Sequence, residues 1–232
     1  MIKVENVQMW GIEHAVRAVR NPMSSWDKSD SGYQASGEHH EHIDFVLGEK
    51  DLGLMRKLTK AGVEHRTYAR FIQVCIDITA PLYWWKEMDR YTVGKSQIST
   101  STMHTIHRKE FTTGDFSCEH LLNKEQNSVE NDPESFCIEM QESYGMDALR
   151  VVIDALNHYR KLFLETKDKR YWWQMIQLLP TSYNQKRTVL MSYEVAFKII
   201  RERTWHKLDE WRSFCDELKR LPYMSELLVT LQ

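Results

Sequence analysis

Residues 178–221 read LLPTSYNQKRTVLMSYEVAFKIIRERTWHKLDEWRSFCDELKRL. A Leu-Leu-Pro entry leads into a polar loop and then into one long amphipathic helix. Phe197, Ile200, Thr204, Leu208, Trp211, Cys215 and Leu218 recur at three- and four-residue steps, the pattern of a single buried stripe. Ile199, Arg203, His206 and Glu210 form the stripe beside it. Arg203 therefore falls at the edge between core and solvent. Its planar fork can donate paired hydrogen bonds to a planar ligand edge or a phosphate, and it stays charged at any working pH. The same spacing also suits a solvated face on which Arg203 and Glu210 pair with other surface charges.

Upstream, Arg70 to Thr79 (RFIQVCIDIT) alternates: Ile72, Val74, Ile76 and Ile78 point one way, and Gln73, Cys75, Asp77 and Thr79 the other. This is the best strand signal in the chain. Ala80-Pro81 ends it, and LYWWKEMDRY reads as a helix with proline near its first turn. Residues 12–20 and 51–60 have helical spacing. The first is halted by Asn21-Pro22, the second by a C-cap at Gly62. Residues 146–165 form a further helix by periodicity. From Thr112 to Ser135 the composition turns to Asn, Asp, Glu, Ser and Gly, which predicts a surface insertion within a single domain spanning 1–232. Helices around few strands give an α+β class.

Composition narrows the function. The 232-residue chain has 42% hydrophobic residues and a formal net charge of −2. That supports a substantial core and argues against a broad basic face for a nucleic-acid polymer. No apolar run reaches the roughly 18–20 residues needed to cross a bilayer. The N-terminus lacks the apolar core of a signal peptide, and Cys75, Cys118, Cys137 and Cys215 are far apart without a CxxC pair. A soluble, cytoplasmic protein with reduced thiols is expected. The cluster Glu38-His39-His40-Glu41-His42 lacks regular ligand spacing, and His104 and His107 have no matching carboxylate or Cys, so no metal site is expected.

One other segment carries potential chemistry. After Arg90 the chain is rich in hydroxyls: Tyr91, Thr92, Ser96, Ser99, Thr100, Ser101 and Thr102. Hydroxyls and amides in such a loop can hold phosphate or sugar, and they can equally solvate themselves through local turns.

In this order, these segments resemble the flavin-dependent thymidylate synthases. In that family a strand, an Ala-Pro and a helix precede an Arg-His-Arg-x-x-Ser-x-Asn-Glu-x-Ser-x-Arg-Tyr run, and a Leu-Pro leads into a closing helix that ends in an arginine. Arg90 falls on the first arginine of the run, Tyr91 and Thr92 on the next two positions, and Thr100 on a serine. Gln97 and Ile98 replace the Asn-Glu, and Thr102 and Met103 the Arg-Tyr. Ala15 to Arg20 is similar to the family's N-terminal helix, and Gly62 to Arg70 to its Gly-His-Glu segment, with His65 at a hydroxyl position and Arg70 at the final histidine. WWKE, STMH and the NPM-SW-SDS stretch look like a divergent, phage-associated branch.

The resemblance implies a mostly antiparallel sheet with flanking helices, a homotetramer, and FAD, folate and dUMP as family ligands. It assigns Arg203 a catalytic and substrate-binding role, with Arg90, Ser96, Ser99 and Thr100 on the substrate. Arg20, His65, Arg70 and Tyr91 fall to the flavin. Two functions follow: a pyrimidine-nucleotide one-carbon transferase, or a non-catalytic protein that binds or sequesters a nucleotide.

Overall fold

In the computed structural model, residues 2–36, 42–123 and 145–228 are described. The Glu38–Glu41 part of the histidine cluster, Cys137 and the KEQNSVENDPES stretch (124–135) of the expected insertion lie outside them. The architecture is mixed helix and strand with a mostly antiparallel sheet, as the sequence led us to expect.

Four strands form the main sheet in the order β1-β4-β6-β5: β1 Lys3–Trp10, β4 Gln73–Pro81, β5 Lys95–Ser99 and β6 Asn184–Ser192. Strand β4 alternates as its sequence requires. Val74, Ile76 and Ile78 are buried, whereas Gln73, Cys75, Asp77 and Thr79 are only half-buried. Asp77 sits on that second face and accepts from Asn6 Nδ2 at 2.9 Å and from Thr188 Oγ1 at 2.6 Å, so the face has its own polar pairing across three strands. Two further strands, β2 Gly32–Ser36 and β3 His42–Val46, make a separate antiparallel hairpin with Tyr33 opposite Phe45.

Contacts cluster the chain into two units. One comprises Thr79–Lys86 and Ser99–Lys186. After the short helix α4 (Thr102–Thr105), its long helix α5 (Gly145–Thr166) packs on α6 (Lys169–Leu178), with Ile106, Phe111, Phe116, Leu149, Ile153, Leu156 and Met175 as the buried cluster. Asn157 clamps Phe111 by accepting its N–H at 2.8 Å and donating to its carbonyl at 2.9 Å. Phe116, inside the stretch read as a surface insertion, is in this core and bridges to Tyr183. At the start of helix α3 (Leu82–Met88), Trp84 and Trp85 are fully buried edge to face, and Trp85 Nε1 donates to the Gln185 carbonyl. These tryptophans are core residues.

The other unit comprises Ile2–Ile78, Glu87–Ile98 and Arg187–Gln232. Helix α1 (Ile12–Arg20) follows β1 through Gly11, whose φ of +88° is a left-handed conformation suited to glycine. A Cβ there would lie 2.2 Å from the Phe71 carbonyl oxygen, so this turn admits no side chain. Helix α2 (Glu49–Ala61) packs on α1, and Asp51 at its start is the hub of the contact. This fully buried carboxylate accepts from Arg20 Nε at 2.7 Å and from the hydroxyls of Ser29 (2.6 Å) and Ser31 (2.7 Å). Burial works to raise its pKa, but those hydrogen bonds and the Arg20 charge outweigh it and hold the carboxyl below its usual value.

The C-terminal segment differs from the sequence expectation at two points. The polar loop is in fact β6: Gln185, Val189 and Met191 are buried on one face, and polar Asn, Gln, Lys and Arg at its start hid the alternation. The single long helix is two, α7 Tyr193–Arg203 and α8 Asp209–Lys219. Between them the chain turns: His206 N–H bonds the Arg203 carbonyl, and Leu208 N–H is capped by His206 Nδ1 at 3.2 Å. The stripe survives because α7 folds back on α8, which leaves Phe197, Ile200, Trp211, Cys215 and Leu218 buried while Thr204 and Leu208 are only half-buried.

Candidate functional site

A cleft of about 540 Å³ opens where β4 begins and β6 runs straight into α7. Its floor is backbone. The Tyr193 N–H donates to the Ile72 carbonyl at 2.9 Å, and the Ser192 N–H to the Gly94 carbonyl at 3.1 Å. Gly94 holds φ at +78°, and a Cβ there would press on Val195 Cγ2 at 3.1 Å and Ser192 Oγ at 3.3 Å. A bare backbone at this point keeps the 92–95 turn tight against the first turn of α7.

Around the floor stand Arg70, Arg90, Lys95 and Lys198. Arg70, Arg90 and Lys198 are exposed, and among the described residues their side chains form no ion pair. Lys95 is different. Its side chain is 4% exposed, and its ammonium donates to the Met88 carbonyl and to Gln97 Oε1, both at 3.0 Å. Burial pulls its pKa below the ordinary lysine value. Asp89 opposes that shift and Arg187 adds to it. One carboxylate, Glu194, lines the cleft, but Arg66 holds it in a two-pronged pair at 2.9 and 3.1 Å. Ser96 and Ser192 add hydroxyls, and Tyr91, Val93, Leu190 and Val195 add apolar wall. The arrangement can hold an anion at the rim beside a planar or apolar group.

Arg203 stands one layer behind this wall. Its Nε donates to Tyr91 Oη at 3.0 Å and its Nη1 to Glu87 Oε2 at 2.6 Å, and the guanidinium lies 4.8 Å over the Trp211 ring. Tyr91 Oη in turn donates to Glu202 at 2.9 Å. Burial works against the Arg203 charge, but Tyr91 and Glu87 more than restore it, and its pKa is raised. Burial likewise raises the Tyr91 phenol, which therefore stays protonated at neutral pH. His206 Nε2 also reaches Glu87, at 3.4 Å. Glu210, placed beside Arg203 by helical spacing, is instead buried at the start of α8.

The remaining predicted residues divide. Arg90, Ser96, Arg70 and Tyr91 come together in the cleft. Arg20 and His65 line a second, more apolar cleft of about 720 Å³ with Val19, Leu58, Tyr68 and Phe71. There Arg20 is committed to Asp51 and to the Lys28 carbonyl. The residues assigned to FAD thus do not converge, and at the Arg20 end the cation that a diphosphate would need is already neutralised. Ser99 and Thr100 belong to the other unit, where Thr100 bonds the Lys186 carbonyl and its own carbonyl takes the Gln185 amide. Lys198, Lys95, Gly94 and Glu194 were missed by the sequence reading. Their signal was the direct passage of a strand into a helix at Ser192, which sets residues 194, 195 and 198 on one helical face.

The chain superposes on thymidylate synthase X from Helicobacter pylori, solved with FAD and dUMP, with a TM-score of 0.66 over 100% of both chains at 16% identity. The fold is that of the flavin-dependent thymidylate synthases. A second Helicobacter pylori structure of that enzyme, complexed with FAD and dUMP, matches 98% of this chain and 100% of its own with a TM-score of 0.64 and 16% identity. The UMP/dUMP methylase PolB from Streptomyces cacaoi, bound with 5-Br dUMP, matches 99% and 95% with a TM-score of 0.61, also at 16% identity. No protein family matches the chain by sequence profile, and no curated protein matches it by sequence. Among the described residues, no three metal-ligating side chains gather, and no helix is long and apolar enough to cross a membrane.

Proposed function

We propose that this protein binds a pyrimidine deoxynucleotide such as dUMP in the Arg90 cleft, as a cytoplasmic homotetramer. The observation that carries the reading is the convergence of Arg70, Arg90 and Lys198, none neutralised by a described carboxylate, around a wall that ends in an aromatic ring. Cations with unspent hydrogen-bond donors suit a phosphate, and the Tyr91 and Val195 wall suits a base. The fold is one in which solved proteins hold dUMP, which makes this the first ligand to try. In this reading Arg203 acts through Tyr91, fixing the ring against which the base rests, and Arg90 takes the phosphate.

If the protein is an enzyme, it is a one-carbon transferase to the pyrimidine, with FAD supplying hydride chemistry when bound. Arg70 and Tyr91 are the cleft residues that would meet that group. The second reading, a nucleotide-binding protein without flavin chemistry, is favoured by one observation: Arg20 is spent on Asp51 and lies with His65 in a different cleft. A visible spectrum of the purified protein separates the two. A flavin band at near-stoichiometric occupancy supports the transferase, whereas a colourless protein that still binds dUMP supports the binding module.

A further inference from the structure

Building on that reading, we infer that the Arg90 cleft is matched to a nucleotide carrying a diphosphate or triphosphate rather than a monophosphate. The ground is charge balance. Glu194 is the one carboxylate among the residues lining the cleft, and Arg66 already neutralises it through both oxygens. Asp89, the nearest acid to Lys95 at 3.9 Å, is bonded to Arg187 at 2.8 Å and to Gln97. Lys95 is buried with two of its three donors turned to Met88 and Gln97, so its main contribution to the cleft is its positive field. Arg70, Arg90 and Lys198 remain as exposed, uncompensated cations.

A phosphate monoester carries about −1.5 to −2 charges at pH 7. It satisfies two of these cations and leaves the third facing a cleft whose one lining carboxylate Arg66 already holds. A second phosphate supplies the missing charge and further acceptor oxygens. The cations also come from separate elements. Arg70 precedes β4, Arg90 precedes the Gly94 turn, and Lys198 lies on the exposed face of α7, 5.6 Å over the Tyr91 ring. Cations on three separate elements suit a chain of phosphates better than one compact group.

Competition calorimetry on the full-length protein at roughly 50 mM salt, where surface charges are only partly screened, tests this. The probes are inorganic phosphate, pyrophosphate, dUMP and dUDP. The inference expects pyrophosphate to bind at least tenfold more tightly than phosphate, and dUDP at least tenfold more tightly than dUMP. Lys198→Gln, checked for an unchanged melting temperature, should remove most of both preferences. Equal binding of phosphate and pyrophosphate overturns the inference, as does dUMP binding as tightly as dUDP. The latter result leaves the pyrimidine reading standing. A strong pyrophosphate preference with no gain from adding uracil deoxynucleoside keeps the inference and removes the pyrimidine reading.

Discussion

Arg203 and Tyr91 show what residue chemistry can and cannot announce. Helical spacing placed Arg203 at the core's edge, and its side chain is indeed half-buried. Spacing could not show what lies opposite. The partners come from residues 87 and 91, more than a hundred positions away in sequence. This geometry gives a sharp expectation for Arg203→Lys. An ammonium cannot reach Glu87 and Tyr91 together while stacking on Trp211, so about 1–3 kcal/mol of stability should be lost, the range for hydrogen bonds to charged groups. Thermal melting checks it. A melting temperature unchanged within a degree would mean that the Glu87 and Tyr91 contacts hold nothing. Tyr91→Phe keeps the ring but removes the hydroxyl between Arg203 and Glu202. It should weaken dUMP binding several-fold while retaining the fold, and unaltered affinity by titration would detach Tyr91 from the proposed site.

Elements were legible where one physical signal dominated. Strand β4 announced itself because its buried face is wholly aliphatic, and α1 because Asn-Pro stops it. Strand β6 did not, because its inward face begins with Gln185 and Arg187, whose partners are the Thr100 carbonyl and Asp89. A strand built on polar contacts to distant segments carries no local hydrophobic period. The break between α7 and α8 was hidden because the apolar stripe continues through it. The α1–α2 joint makes a prediction in pH. Asp51 has its pKa depressed in the fold, so its stabilising effect is fully present above the ordinary carboxylate value of 3.8 and is lost as pH falls through the lower folded value. Asp51→Asn should therefore lower stability at pH 7 by roughly 3–5 kcal/mol, because it strands the buried Arg20. The difference from the parent should shrink in strong acid. Denaturant unfolding at both pH values decides it, and a pH-independent difference would contradict the assignment.

At the scale of the whole molecule, the fold was legible in the order of segments rather than in identities, and the chain superposes over its full length at 16% identity. The site was less legible because its cations lie far apart in sequence, at residues 70, 90 and 198. Cations such as Lys198 stand on helical faces that resemble any solvated surface until β6 and the Gly94 turn bring them together. Light scattering should give four times the 27.7 kDa chain mass. A monomer at micromolar concentration would contradict the tetramer. The central claim, an anion-holding nucleotide cleft around Arg90, is tested most directly by calorimetric titration of the parent protein and Arg90→Ala with dUMP. Saturable binding is expected, weakening more than tenfold in the variant, a loss of at least about 1.4 kcal/mol, with an unchanged melting temperature. Equal affinity in the two folded proteins would contradict it.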